Sequence, residues 1–335
     1  MRHILLCWLA LGIHTLAWGA DPVLQAPTPT AEAAQLDARA FNGIAEYIAE
    51  KLPDVQSAVV VLNCRQAFAY YRDGDADGLR PVQSVVKSAL ALLIGTALQR
   101  GQLTSLDQPV LALMPEWQTL NSDGRLATLS LRHLLSMTAG FEVNDATGTA
   151  PALPPVQAWA RPLVAAPGER FAYDNGVPPL IIAVLEKVTG QPVDALAQNQ
   201  LFGPLAMRGP RFADGRLHLR TQDMAKLGQL LLSDGVWNGQ ALLTPDFATQ
   251  IHQRANAGGA PLRLPYGLFW WTASPDSWFA SGWGGQLVWV HPPMNMVVAV
   301  TSTASPAGAE RGQALGLARA QLFQAAQRRQ RMTAP

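Results

Sequence analysis

The chain has 335 residues, of which 49% are hydrophobic and 15% are charged, and its formal net charge is +1. This composition predicts a globular protein with one large core or two lobes, and it gives no basis for binding nucleic acid. The sequence also lacks the Cys-x-x-Cys, His-Glu-x-x-His and Gly-x-x-x-x-Gly-Lys patterns, so neither a metal nor a nucleotide cofactor is expected.

The first residues, 1–19, have the pattern of a secretory signal peptide. A short basic start precedes an apolar stretch at 4–13 that is too short for a comfortable membrane span, and the small residues Ala17 and Gly19 favour cleavage after Gly19. An uncleaved anchor is the alternative interpretation. After cleavage Cys64 would be the only cysteine, so no disulfide is expected. We therefore predict a periplasmic or secreted bacterial protein with no membrane contact beyond this segment.

The next predicted elements are a linker, a helix and a hairpin. Residues 20–36 are rich in Pro, Ala and Thr and predict a loose linker. Apolar residues at helical spacing then predict a helix over 37–51. A β-branched run at 57–63, followed closely by an apolar run at 67–72, predicts two paired strands.

A Ser-x-x-Lys motif, Ser84 and Lys87, stands at the start of a long apolar segment that stops at Gly101, as helices often do. Residues three apart share a helix face, so the hydroxyl and the amine can meet. Free N–H groups at the helix start would stabilise an oxyanion, and the amine could take the hydroxyl proton. An N-cap serine beside a solvated lysine is the alternative.

The rest of the chain is first helical and then returns to strands. Helix candidates lie at 129–137, 179–189 and 221–232, strand candidates at 266–272, 286–291 and 296–301, and a final helix at 308–331. Thr221, with an acidic residue just inside the helix, predicts a capped start. The whole order predicts a fold of the α/β class, α+β type. In it an antiparallel sheet is flanked by N- and C-terminal helices, with a mostly helical region inserted midway.

Several segments together resemble the serine β-lactamase and penicillin-binding protein family. Pro-Gly-Glu-Arg-Phe-Ala-Tyr-Asp-Asn at 167–175 is similar to the Pro-Gly-x-x-Phe-x-Tyr-x-Asn segment of class C β-lactamases and related peptidases and esterases. Leu-Arg-His-Leu-Leu-Ser-Met-Thr-Ala-Gly at 131–140 and Leu-Phe-Gly-Pro-Leu-Ala-Met at 201–207 resemble two further phrases. Segments 221–228 and 234–239 resemble the branch that contains 6-aminohexanoate-dimer hydrolase.

The resemblance implies the β-lactamase/transpeptidase-like fold for nearly the whole chain. We predict a single catalytic domain over 37–331. Its α/β lobe would comprise about 37–101 and 260–331, and its helical lobe about 102–259.

The third family motif departs from its usual form. The family places Lys-Thr-Gly or His-x-Gly on a strand beside the active site, whereas residues 279–286 here read Phe-Ala-Ser-Gly-Trp-Gly-Gly-Gln. One register puts the motif on Ala280, Ser281 and Gly282, and another uses 283–285. In either register the cation that helps to hold a substrate carboxylate is missing, which favours neutral esters or amides. A tight turn without a functional role is the alternative.

The resemblance also implies roles for the site residues. Ser84 would attack a carbonyl and form an acyl-enzyme, with Lys87 and Tyr173 sharing the role of base as a coupled pair. Asn175 would hydrogen-bond Lys87 or the substrate, and the backbone N–H groups of Ser84 and Trp283 would form the oxyanion hole. A core position for Tyr173 and a turn position for Asn175 are the alternatives.

The sequence therefore predicts an exported serine hydrolase that cleaves a small ester, amide or peptide. The alternatives are a β-lactamase or D-alanyl peptidase, and a non-catalytic relative that binds a cell-wall peptide or a β-lactam. His133 is interpreted as structural, and Arg263 and Arg311 are the nearest candidates for a substitute charge. Four tryptophans either line an apolar cleft or, by default, pack in the core: Trp270, Trp271, Trp278 and Trp289.

Overall fold

The computed structural model describes residues 30–144, 152–213 and 216–333, except for the side chains of residues 309–311. The predicted signal peptide and most of the predicted linker lie outside these ranges and stay predictions. No helix within the described ranges combines the length and the apolar character needed to cross a membrane.

The strands form one large sheet and two small ones. In chain order they are β1 (Val55–Leu62), β2 (Arg65–Tyr71), β3 (Arg80–Pro81), β4 (Arg211–Ala213), β5 (Arg216–Leu219), β6 (Val236–Trp237), β7 (Gln240–Ala241), β8 (Asn256–Gly259), β9 (Leu264–Tyr266), β10 (Trp271–Ser274), β11 (Ser277–Gly282), β12 (Gln286–His291) and β13 (Met296–Ser302). The large sheet has the order β2-β1-β13-β12-β11-β10-β9-β8, and its pairs are antiparallel. The small sheets have the orders β3-β5-β4 and β6-β7.

The helices lie on both sides of the large sheet and in the region between β3 and β8. They are α1 (Ala31–Ala40), α2 (Ile44–Lys51), α3 (Val85–Gln99), α4 (Val110–Leu113), α5 (Leu131–Leu135), α6 (Pro155–Trp159), α7 (Val177–Thr189), α8 (Val193–Ala197), α9 (Thr221–Leu232), α10 (Pro245–Gln250), α11 (Pro306–Arg311), α12 (Gln313–Leu317) and α13 (Phe323–Thr333). Short 3₁₀ turns lie at Pro115–Thr119, Gly124–Thr128 and Pro292–Met294, and π turns at Gln198–Phe202 and Ala318–Leu322.

The large sheet buries both faces, as its β-branched central strands require. On one face Gly228 of α9 lies so close that an added Cβ would come within 3.0 Å of side chains of Val288, Val290 and Val297. On the other face the alternating residue Trp289 packs edge-on against Phe323 of α13. The predicted antiparallel sheet between terminal helices and an inserted helical region is therefore confirmed.

Two predicted helices are broken at glycines that adopt positive φ. The predicted helix over 37–51 is two helices, separated by a turn in which Gly43 has a φ of +78°. The first of them begins at Ala31, inside the predicted linker, where the Thr30 hydroxyl caps it. The predicted final helix is likewise divided at Gly312, with a φ of +57°. Left-handed backbone suits glycine and ends a right-handed helix.

The predicted strand over 266–272 is wrong as a single element, because the chain bends at Phe269. This residue has a φ of +59°, its N–H donates to the carbonyl of Leu135, and its carbonyl accepts from the Ser88 hydroxyl at 2.7 Å. Both partners lie far away in sequence. The bend therefore results from tertiary hydrogen bonds that strand propensity does not reveal.

The start of α9 is held by buried charges instead of the predicted cap. Thr221 is the first residue of the helix, the N-cap residue Arg220 makes no side-chain capping hydrogen bond, and the Thr221 hydroxyl lies 2.5 Å from the Ser57 hydroxyl. The fully buried carboxylate of Asp223 contacts Arg220 at 2.8 Å and Lys226 at 2.8 Å. A buried charge needs such paired, hydrogen-bonded partners. The residues of segment 221–228 are thus all buried in the interior of the fold.

Candidate functional site

Ser84 immediately precedes the first residue of α3, where the sequence places it. Helix α3, which follows directly, is almost wholly buried and so gives the serine a rigid base. The Ser84 side chain makes no capping hydrogen bond to α3, so the alternative of a simple N-cap does not describe this residue. Its half-buried hydroxyl lines a cavity of about 330 Å³. The free N–H groups and the dipole of α3 favour negative charge at this position.

Lys87 connects the predicted motif residues. Its side chain is buried, and Nζ donates to Ser84 Oγ at 3.0 Å and to Asn175 Oδ1 at 2.8 Å. The same nitrogen lies 4.8 Å from the centroid of the Tyr173 ring, within the range of a cation–π contact. Lys87 is therefore not a solvated surface lysine, and the structure brings together Ser84, Lys87, Tyr173 and Asn175.

The segment that carries Tyr173 and Asn175 is anchored by the residue between them. The carboxylate of Asp174 accepts from Arg161 at 2.7 Å and from the N–H of Gly176 at 2.7 Å. Asp174 N–H contacts the sulfur of Met137 at 3.4 Å, and the guanidinium of Arg161 lies 5.0 Å from the centroid of the Phe141 ring. This anchoring pair was not predicted, because nothing in the sequence links Arg161 with Asp174.

We expect Asp174→Asn to destabilise the protein by about 3 kcal/mol, because Arg161 would keep a poorly solvated charge without its partner. The matched control is Asp107→Asn, which removes the partner of Arg132 at the surface and should cost less than about 1 kcal/mol. Urea unfolding of the two variants and the wild type measures both losses. Equal losses would contradict an anchoring role for Asp174.

Tyr173 belongs to a cluster of aromatic rings. It stacks on Trp271 with ring centroids 5.9 Å apart, and Tyr266 meets both rings edge-on, while Phe171 meets Tyr266 and Trp271. Burial raises the pKa of Tyr266 well above its ordinary value, and the neighbouring Tyr173 adds to this. Tyr266 therefore keeps its proton, and Tyr173 is the phenol of this cluster that lines the cavity.

The third motif lies directly beside the nucleophile. At the end of β11, an added Cβ on Gly282 would come within 2.6 Å of the Val82 carbonyl oxygen. The turn to β12 needs glycine at two positions, since Gly284 and Gly285 have φ values of +77° and +97°. Ser281 to Gly285 all line the cavity together with Ser84. A tight turn is thus present, and it borders the predicted nucleophile.

Position 280 does not reach the cavity. Ala280 is almost completely buried opposite Val288, whereas its neighbour Ser281 is half-buried and lines the cavity. In the first register the residue aligned with the family cation is therefore a methyl group inside the sheet. The amide of Gln286, by contrast, bonds the backbone of Ser302 in both directions, which fixes the base of this hairpin.

The remaining candidates have mostly structural positions. His133 Nδ1 accepts from the N–H of Ser130 and caps α5, and burial lowers the pKa of His133. Arg263 is exposed and does not line the cavity, and the side chain of Arg311 is outside the described residues. Of the four tryptophans only Trp271 lines the cavity; the others are buried elsewhere: Trp270, Trp278 and Trp289.

The described residues do not have the geometry of a metal site. Across the described residues, no group of three or more His, Cys, Asp or Glu side chains is arranged to hold a metal ion. What the site offers is a hydroxyl, an amine and a phenol at the start of a helix, beside a glycine-rich strand end. Such a set can perform nucleophilic attack with proton transfer.

The chain matches known proteins over most of its length. The family model described as Beta-lactamase matches residues 41–323. The esterase EstB of Burkholderia gladioli is 27% identical over 215 residues, which cover 52% of this chain and 54% of the esterase. The match thus spans about half of that relative.

Two further comparisons cover more of both chains. The 6-aminohexanoate-dimer hydrolase of Paenarthrobacter ureafaciens is 23% identical over 321 residues, which cover 82% of this chain and 79% of the hydrolase. A solved penicillin-binding protein homologue from Caulobacter crescentus is 15% identical, with a TM-score of 0.64, over 86% of this chain and 98% of that chain. The second likeness shows a shared fold.

Proposed function

The chain belongs to the Beta-lactamase family, and on that premise we propose that it is a serine hydrolase that cleaves neutral esters or amides through an acyl-enzyme on Ser84. The observation on which the proposal depends is the 3.0 Å contact between Lys87 Nζ and Ser84 Oγ. A proton can move along such a contact as the oxygen attacks a carbonyl carbon.

The proposed acylation uses the groups around Ser84 in sequence. Ser84 Oγ bonds to the carbonyl carbon, and its proton passes to the pair formed by Lys87 and Tyr173. The pair then gives a proton to the departing alcohol or amine, so no net proton is gained. The N–H groups of Ser84 and Trp283 would bind the carbonyl oxygen as it gains charge. Asn175, bonded to Lys87, would keep the amine aimed at Ser84.

In deacylation, water would be the nucleophile and Ser84 the leaving group. Water attacks the acyl carbon, Tyr173 accepts its proton, and the bond to Ser84 Oγ breaks as the acid leaves. The proton returns to Ser84 through the same pair. The pair thus acts first as base and then as acid in each half-reaction.

The preference for a neutral substrate follows from the lining of the cavity. Its described lining residues include the polar side chains of Ser84, Tyr173, Ser281 and Gln286, and none of them is charged. Penicillins and cephalosporins carry a carboxylate, and burying a charge without a partner is unfavourable. Esterase and 6-aminohexanoate-dimer hydrolase relatives support a substrate of the ester or amide class.

We expect p-nitrophenyl butyrate to be hydrolysed with a higher kcat/KM than nitrocefin. A charge-assisted hydrogen bond contributes about 1.5–3 kcal/mol, or roughly 10- to 150-fold in binding, and nitrocefin would lack it here. Steady release of p-nitrophenol measures turnover, whereas a non-catalytic binding protein would give one burst and stop. A wild-type enzyme that prefers nitrocefin would contradict the proposal of a neutral substrate.

A further inference from the structure

Two large apolar side chains stand exposed at the rim of the cavity that contains Ser84. Leu262, 39% exposed, lies in the loop between β8 and β9, and Trp283, 37% exposed, lies in the turn between β11 and β12. The same cavity is also lined by Leu287 of β12 and Leu315 of α12. A cavity that contains the nucleophile and is lined by several apolar side chains is the kind of site that binds an apolar group.

The two hairpins that carry the rim residues are tied to the rest of the structure. In the β8–β9 hairpin, an added Cβ on Gly258 would lie 1.7 Å from the Leu264 carbonyl oxygen, so the strands approach very closely. Asn256 in β8 also donates to the carbonyl of Ser136 at 2.9 Å and so joins the hairpin to the helical region. The Gln286 amide bonds the Ser302 backbone and so joins the turn that carries Trp283 to β13. The backbone that carries both rim residues is therefore connected to neighbouring elements of the fold.

We propose that Leu262, Trp283 and Leu315 form a subsite that selects an apolar chain of medium length on a neutral ester or amide. This inference rests on the proposed function, and it specifies which part of the substrate the site recognises. Burying one methylene group strengthens binding about fourfold. Substrates whose chain reaches the rim should therefore be preferred over acetyl and butyryl substrates.

The apolar chain in the subsite could be the acyl chain or the alcohol chain of the substrate, and two substrate series distinguish them. In the first, kcat/KM is measured for p-nitrophenyl acetate, butyrate, hexanoate and octanoate. In the second, it is measured for ethyl, butyl, hexyl and octyl acetate. In one of the two series we expect kcat/KM for the eight-carbon substrate to exceed kcat/KM for the shortest substrate by about tenfold or more. A flat dependence in both series would overturn the inference.

Variants test whether the rim causes this selection. Leu262→Ser should lower the ratio of the eight-carbon to the two-carbon substrate by about fivefold or more, and Leu262→Phe should retain the ratio. The control is Val236→Ser, because Val236 is similarly exposed but lies in the β6–β7 hairpin and does not line the cavity; it should leave the ratio unchanged. A ratio that Leu262→Ser does not change would overturn the inference.

A binding measurement separates this inference from the proposed function. The Ser84→Ala variant should bind N-methyloctanamide more tightly than N-methylbutanamide, or N-octylacetamide more tightly than N-butylacetamide, by about tenfold or more, as measured by calorimetry. The first pair tests the acyl chain and the second the chain on the leaving group, and neither needs turnover. Equal affinities within both pairs would overturn the subsite, whereas hydrolysis that survives in Ser84→Ala would overturn the proposed function.

Discussion

Replacing Ser84 by alanine is expected to abolish both covalent labelling by a fluorophosphonate probe and ester hydrolysis, with kcat/KM falling by about 10³-fold or more. The reason is the position of the hydroxyl: it lies at the start of α3, makes no capping bond, and contacts the Lys87 amine at 3.0 Å. No other residue of the described cavity lining combines a nucleophilic oxygen with such an amine contact. Mass spectrometry of the labelled protein identifies the modified residue.

Ser136→Ala is the control for this experiment. The Ser136 hydroxyl donates to the carbonyl of Arg132 at 2.7 Å and is buried, so its loss should leave labelling and turnover in place. Labelling of Ser136 or Ser281 in the intact protein would show that the nucleophile has been assigned to the wrong residue.

Tyr173→Phe is expected to slow hydrolysis by on the order of 10²–10⁴-fold, the usual effect of losing a positioned proton-transfer group. Phenylalanine keeps the ring that stacks on Trp271 and lies beside Lys87, so the variant removes the hydroxyl alone. The hydroxyl is the part of Tyr173 that the proposed proton transfer uses. Initial rates of p-nitrophenyl butyrate hydrolysis by the variant and the wild type measure the effect.

Tyr266→Phe is the matched control for Tyr173→Phe. Tyr266 lies in the same aromatic cluster, and burial raises its pKa well above the ordinary value. It therefore stays protonated throughout the working pH range, and its variant should keep both the rate and the pH profile of the wild type. Near-normal turnover in Tyr173→Phe would remove Tyr173 from the proposed proton transfer.

The sequence predicts the parts of this protein that depend on local spacing. The Ser-x-x-Lys motif needs only the geometry of one helix, and the structure places Lys87 within 3.0 Å of Ser84, as the spacing requires. Strand β12 was likewise predicted with its observed bounds, because an apolar run between turn signals specifies a buried strand. The resemblance added the partners, since Tyr173 and Asn175 lie about 90 residues further on.

The features that were missed depend on contacts between distant residues. Arg161 anchors Asp174 across an irregular loop between α6 and α7, and neither residue has a sequence pattern that marks the pair. Phe269 bends its strand because Leu135 and Ser88 bond its backbone. The apolar rim was also missed: an isolated Leu262 in a loop gives no signal until the fold places it at the same cavity as Trp283. Tertiary packing decides such features, and local propensity does not.

The pairing of β1 with β13 has a consequence for how the protein folds during synthesis. Ser57 on β1 meets Thr301 on β13, a residue 244 positions later, and the two strands are neighbours inside the large sheet. A ribosome-bound chain that has emerged only as far as β12 leaves one edge of β1 without a partner, although Ser84 was made long before. Contacts of such separation slow folding and expose strand edges to aggregation. We therefore expect chaperone dependence to persist until the last strand has been released.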